Sequence, residues 1–234
     1  HQDCSGKQRK DIKWGEIGVK MKKYKILSGR FESGTEEQQA GYRQLFGEAV
    51  QYRFDLYFHW YNLIHELGHC MVERYGLEMP EVKEEMFVNE FAVAYYRYAG
   101  EAERLEELRN ILQGIIDQMP SPVPEGETFL SFYERIWNTD EIMQVMIYGY
   151  FQLNSVLEAM RANRSLADVA AELGASFQSA AARKCPGGIS ADNAAAYLET
   201  AVGNLTACGL SIPEVRLELL ENPLIQCAQP EEGE

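Results

Sequence analysis

Positive charge is scarce in this chain: 22 Lys and Arg stand against 36 Asp and Glu, a net charge of −14 over 234 residues. So acidic a body repels phosphate and argues against a primary nucleic-acid binder, which needs an extended cationic surface. No apolar run approaches the roughly 20 residues that span a bilayer, so no transmembrane helix is expected. Cysteine is sparse and irregular. Its five occurrences (Cys4, Cys70, Cys185, Cys208, Cys227) show no C-x-x-C spacing, which fits neither a disulfide framework nor a thiolate zinc site. Free thiols are the simpler account, with one bridge among the last three as the alternative. Free thiols point to a reducing, cytoplasmic compartment, although a start at His1 rather than Met leaves export open. Internal repeats and low-complexity tracts are absent too.

What is present reads as a globular protein. Hydrophobic residues make up 46% and charged residues 25% of the chain, ordinary values that exclude wholesale disorder. The few cations are unevenly placed. Residues 1–30 hold nine Lys/Arg against three acids, leaving +6 there and −20 over the remainder. No recognition motif accompanies this basic arm, so a solvated terminus leaning on an acidic body is the expectation.

The pattern along the chain predicts a mainly α protein with a minimal β element. The stretch 18–31, with Val19, Met21, Tyr24, Ile26 and Leu27 among lysines, predicts a short hairpin or edge strand. Thr35 followed by Glu36-Glu37-Gln38 is an N-cap with its capping-box partner and opens a helix to about 54. A second helix is predicted over 57–75, stopped by Gly76. Pro80 suits the first turn of a third, over 80–98, and a fourth covers 101–119. The Pro-rich loop 120–126 is the candidate boundary between a catalytic core and a C-terminal helical part. Helices are then expected near 128–137, 140–161, 166–173 (capped by Ser165 and Asp168), 190–202 and 213–221. The domain expectation is a basic arm with a possible hairpin at 1–34, catalytic core helices at 35–119 and a helical part at 120–234.

One segment carries chemistry: His65-Glu66-Leu67-Gly68-His69. The chain has only four histidines, and two of them stand four apart, with a glutamate directly after the first. On a helix over 57–75, Trp60, Leu63, Ile64, Leu67 and Met71 form an apolar stripe, while His65, Glu66 and His69 fall on the other side. Residues four apart stack one turn above another, so two imidazoles can reach one ion. Glu66 lies one residue's rotation away, near enough to hold a metal-activated water without being a ligand. Gly68 costs about 1 kcal/mol in a helix interior relative to Ala, which calls for a reason such as a closely packed neighbour. His59 sits on a different face and is expected to be a packed residue.

A third zinc ligand is offered by Glu84, Glu85 or Glu90 on the next helix. Together with HELGH, the run Glu85-Met86-Phe87-Val88-Asn89-Glu90-Phe91-Ala92 resembles the ImmA/IrrE family of gluzincin-type metallopeptidases. That family carries E-x-x-A-N-x-F-A on the helix after H-E-x-x-H, with the glutamate as third zinc ligand. Carried over without a gap, the resemblance implies Glu85 as the ligand, with Asn89, Phe91 and Ala92 matching. A rival register, Asn89-Glu90, resembles the N-E pair of thermolysin-like enzymes and would make Glu90 the ligand. The resemblance covers about residues 54–96 and implies a zincin-like catalytic core.

The expected protein is therefore a zinc-dependent metallopeptidase. Zn2+ would be held by His65, His69 and Glu85, with Glu66 as general base on a metal-activated water. The partner would be a protein or peptide substrate. An oxyanion donor is needed as well, and Tyr95, Tyr96, Tyr98, Tyr148 and Tyr150 are candidates, each more readily explained as core. The alternative expectation is a zinc-stabilised helical regulator that binds a partner without turnover.

Overall fold

The computed structural model describes residues 19–22, 24–185 and 187–220. Residues 1–18 of the basic arm, Cys4 and Cys227 lie outside them. Two of the three strands among the described residues form the expected hairpin: β1 (Val19–Lys22) pairs antiparallel with β2 (Lys25–Gly29), and Tyr24 between them takes φ 61°. The third strand is a correction. The helix expected near 213–221 is instead β3 (Arg216–Leu220), parallel to β2 with Lys25 opposite Arg216 and Gly29 opposite Leu220. Leucine and glutamate favour helix locally, but β2 offers an edge, Leu217 packs on the core and Glu218 pairs with Lys25. Tertiary pairing overrides propensity there.

The rest is helical. Thr35 and Gln38 form the capping box that opens α1 (Glu36–Phe46). The helix does not run on to 54 as expected, because Gly47 turns left-handed at φ 70° and a 3-10 turn follows. α2 (Val50–Asp55), a π-helical segment (Leu56–Tyr61) and α3 (Asn62–Tyr75) then continue into one another, with helical dihedrals at each junction. Gly76 ends the run at φ 64°, and Leu77 donates back to the Val72 carbonyl, a left-handed C-terminal closure. Next come α4 (Glu81–Tyr98), α5 (Ala102–Ile116), α6 (Phe129–Ile136), α7 (Val145–Ala162), α8 (Leu166–Glu172) and α9 (Ala194–Ala207). The helices expected at 140–161 and 190–202 each begin instead as a short 3-10 turn, at Asp140–Met143 and Ala191–Asn193.

Helix α4 is the centre of the molecule, packed along α3, α5, α7 and α8. One buried apolar cluster extends from Ile26 to Leu210, and a smaller one gathers Val82, Phe132, Tyr133, Ile136, Trp137, Ile142 and Phe151. Among the described residues no helix is long and apolar enough to cross a membrane. Cys70 and Cys208 are free, buried thiols.

Gly68 shows why α3 and α4 can lie so close. A Cβ at this position would stand 2.9 Å from Val88 Cβ and 3.2 Å from Phe91 Cδ1, so the helices would have to move apart. Gly68→Ala gains about 1 kcal/mol of helix propensity but incurs an overpacking cost of about 1–3 kcal/mol. The expected result is a lower melting temperature. A raised one would mean that the two helices separate without cost.

Candidate metal centre

The site is built where the polar side of α3 meets the first half of α4. The sequence places His65, Glu66 and His69 opposite the apolar stripe, as if facing water. In the structure that side is enclosed: His65 is 3% exposed and Glu66 8%. It meets polar residues of α4 rather than solvent, which is why a buried helix can carry them.

His65 and His69, at i and i+4, meet edge to face with ring centroids 5.0 Å apart. Each imidazole is held from behind. The Asn89 amide donates to the Glu85 carbonyl at 2.8 Å and to Ser155 Oγ at 3.1 Å, which fixes its orientation. Its Oδ1 therefore accepts, from Tyr61 OH at 2.9 Å and from His65 Nδ1 at 3.0 Å. His69 Nδ1 donates to Glu84 Oε1 at 2.7 Å. With both Nδ1 atoms used as donors, the two imidazoles, once neutral, present Nε2 lone pairs to the same point. The third atom there is Glu85 Oε2, 3.5 Å from His65 Nε2 and 3.8 Å from His69 Nε2.

Two histidines and one carboxylate thus offer ligand atoms all within 4.8 Å of one another. A tetrahedral zinc site with ligand bonds near 2.0–2.1 Å has ligand–ligand edges of about 3.3 Å, so this set fits such an ion with small side-chain adjustments. The outer contacts fit as well: a ligating histidine ordinarily donates its other N–H to a carboxylate or carbonyl-type oxygen. Here Glu84 and Asn89 do this.

The field is that of a cation site. Burial works against charge on His69, yet the carboxylates of Glu85, Glu84 and Glu66 outweigh it and push its pKa up to about 10. Burial likewise opposes ionisation of Glu85, but His69 and His65 hold its carboxyl well below the usual range. A metal ion has to displace the His69 proton. Apparent metal affinity should therefore rise with pH, by about 10² between pH 6 and 8 for one released proton, and level off only as pH nears about 10. In the metal-free protein the sign is opposite. The raised His69 pKa contributes stability that is fully present below 6.5 and lost as pH climbs through about 10. Chelator-competition titrations at pH 6, 7 and 8 check the first statement, and a flat profile would contradict it.

The remaining candidates take other places, Tyr150 packing partly buried against the main apolar cluster. Glu66 lies outside the cluster, and its Oε1 accepts from Asn62 Nδ2 at 3.4 Å. Glu90 points elsewhere, pairing with Arg164 at 2.6 Å. His59 is fully buried and bonded to Asp55 at 2.6 Å one turn earlier, a packed histidine as expected. Among the tyrosines, Tyr96 donates to the Trp60 carbonyl, Tyr98 to the Ala180 carbonyl, and Tyr95 accepts from Asn204 at 3.1 Å. Tyr148, partly buried on α7, is near the site. Burial and then the charges of Glu85 and Glu66 keep its phenol protonated far above the ordinary pKa, and its oxygen accepts from Gln152 at 2.9 Å.

Sequence reasoning missed the positioning roles of Asn89 and Glu84. The signal for Asn89 was its place four residues after Glu85, one turn along the same face of α4. The π segment was also missed. Its wider i→i+5 turns shift the helix phase ahead of His65, and Tyr57 and Tyr61 stack within it, 6.2 Å apart; π-bulges are frequent at functional sites. Compared with protein-family models, curated proteins and solved structures, the chain matches none.

Proposed function

We propose that this protein is a zinc-dependent metallopeptidase with a zincin-like core, ligating its metal through His65, His69 and Glu85. One observation carries the reading: two imidazole Nε2 atoms and one carboxylate oxygen converge, each imidazole tethered from behind, with a second carboxylate, Glu66, on the same helix outside the ligand set. Zinc suits a donor set of two histidines and one glutamate and, when bound, supplies Lewis acidity that polarises a carbonyl and brings the pKa of a water towards about 7.

The chain's own residues do the rest. Glu84 and Asn89 hold the imidazoles in the tautomer that leaves Nε2 unprotonated. Glu66 accepts a proton from the attacking water and returns it to the leaving amine, so that it serves in turn as base and acid. Tyr148, kept protonated beside the site, donates to the oxyanion that forms at the substrate carbonyl. β1 lies at the sheet edge among the described residues and packs on α3. An extended peptide can add to such an edge through backbone hydrogen bonds, which favours a polypeptide substrate. The test is hydrolysis of a peptide library by the parent and by Glu66→Gln.

A second reading, a metal-stabilised helical protein that binds a partner and cleaves nothing, is favoured by the small extent of the sheet. Among the described residues it has three strands of four or five residues. It requires bound metal without turnover on any peptide.

A further inference from the structure

A second chemically distinct place lies at the far end of α4. Arg97 stands twelve residues beyond Glu85 on that helix, roughly 18 Å along its axis. There α5 and α7 border an open cavity of about 340 Å³, within the range of small-molecule sites. Its apolar lining includes Leu105, Leu157 and Met160, all buried. The polar lining is cationic, three arginines (Arg97, Arg109 and Arg161) against one glutamate, Glu106. In a chain of net charge −14, such a concentration of guanidinium groups around a concave surface is unexpected on composition alone.

The three arginines are not equivalent. Arg109 is engaged by Glu106, and Arg161 by Glu158 at 2.6 Å. Arg97 pairs with no carboxylate among the described residues. Its Nη2 donates to the Met160 carbonyl at 2.8 Å, while Nη1 is buried without a hydrogen-bond partner. Burial with no compensating charge lowers its pKa. A guanidinium nitrogen buried without an acceptor is costly, and the planar fork of arginine matches a carboxylate or a phosphate.

We propose that this cavity binds a small amphipathic oxyanion, its carboxylate or phosphate head on Arg97, with Arg109 and Arg161 alongside, and its apolar body on Leu105, Leu157 and Met160. The head meets the guanidinium groups at the mouth of the cavity, where a turn of the Arg97 side chain gives Nη1 the acceptor it lacks, and the body covers the apolar floor. The site is separate from the metal centre and needs no metal.

Calorimetric titration of the full chain tests this with hexanoate, hexyl phosphate, acetate and hexylamine as probes. Hexanoate or hexyl phosphate should bind saturably at one per chain, about tenfold or more tighter than acetate because the tail is buried. Whichever of the two binds tighter identifies the head group. Arg97→Gln should weaken binding at least about tenfold, while Glu106→Gln, which removes the one acid of the lining, should tighten it. If Arg97→Gln fails to fold, Arg97→Lys, which keeps the charge but loses the planar fork, should weaken binding instead, and an unchanged affinity there would equally overturn the proposal. Neither Arg97→Gln nor Glu106→Gln should change metal content, so failure here is distinguishable from failure of the metal centre. Saturable binding of neither anion would overturn the proposal, as would equal binding of hexylamine or an unchanged affinity in Arg97→Gln.

Discussion

Glu66→Gln should cut peptide hydrolysis by about 10²–10⁴-fold, the usual worth of a general base, while leaving metal content and melting temperature close to the parent's. Glutamine keeps the shape of the side chain and can still bond Asn62, whose amide lies 3.4 Å from Glu66 Oε1, but it cannot take a proton from water. Because Glu66 lies outside the ligand atoms, the metal has no reason to leave. His65→Ala behaves differently: it removes a ligand and leaves Asn89 Oδ1 with one donor fewer, so both metal and activity should be lost. Kinetics on a cleavable peptide, with elemental analysis of each variant, separate the two outcomes. A Glu66→Gln protein as active as the parent would remove Glu66 from the chemistry. A parent that holds metal but cleaves no peptide would favour the non-catalytic reading.

The second large effect concerns α4. Glu85→Ala should abolish stoichiometric metal binding, since it removes one of three converging ligand atoms. Glu84→Ala should weaken affinity about 10–100-fold, the usual effect of an outer residue that orients a ligand. Glu90→Ala should leave metal unchanged and cost at most about 1 kcal/mol, because it breaks only a partly exposed pair with Arg164. Metal titrations of the three variants give the order. Retention of metal in Glu85→Ala with loss in Glu90→Ala would mean that the thermolysin-like register is correct.

What could be read from sequence was what is decided locally. The capping boxes at Thr35 and Ser165 and the left-handed stop at Gly76 stand where the pattern places them, because each depends on residues within one helical turn. The spacing of His65 and His69 needed only a helix to become a pair. Gly68 announced a close neighbour by its cost, and Val88 and Phe91 on α4 are that neighbour.

What could not be read depends on distant partners. β3 has a helix-forming composition, and only β2, nearly the whole chain away, makes it a strand. The π segment leaves no mark in a run of buried aromatic and apolar residues. Spacing alone leaves Glu85 and Glu90 open on one helix, and the Arg164 that engages Glu90 lies 74 residues further on. The enclosure of His65 was hidden for the same reason. A helical wheel separates polar from apolar but does not say whether water or another polar helix covers the polar side.

The most direct test of the central claim is the metal itself. Protein purified without chelator should carry about one zinc per chain by elemental analysis, as a three-ligand site requires. Stripped protein should regain thermal stability when zinc is added back, by an amount that grows with free zinc concentration. Protein that holds no zinc and shows no gain in melting temperature on its addition would contradict the account.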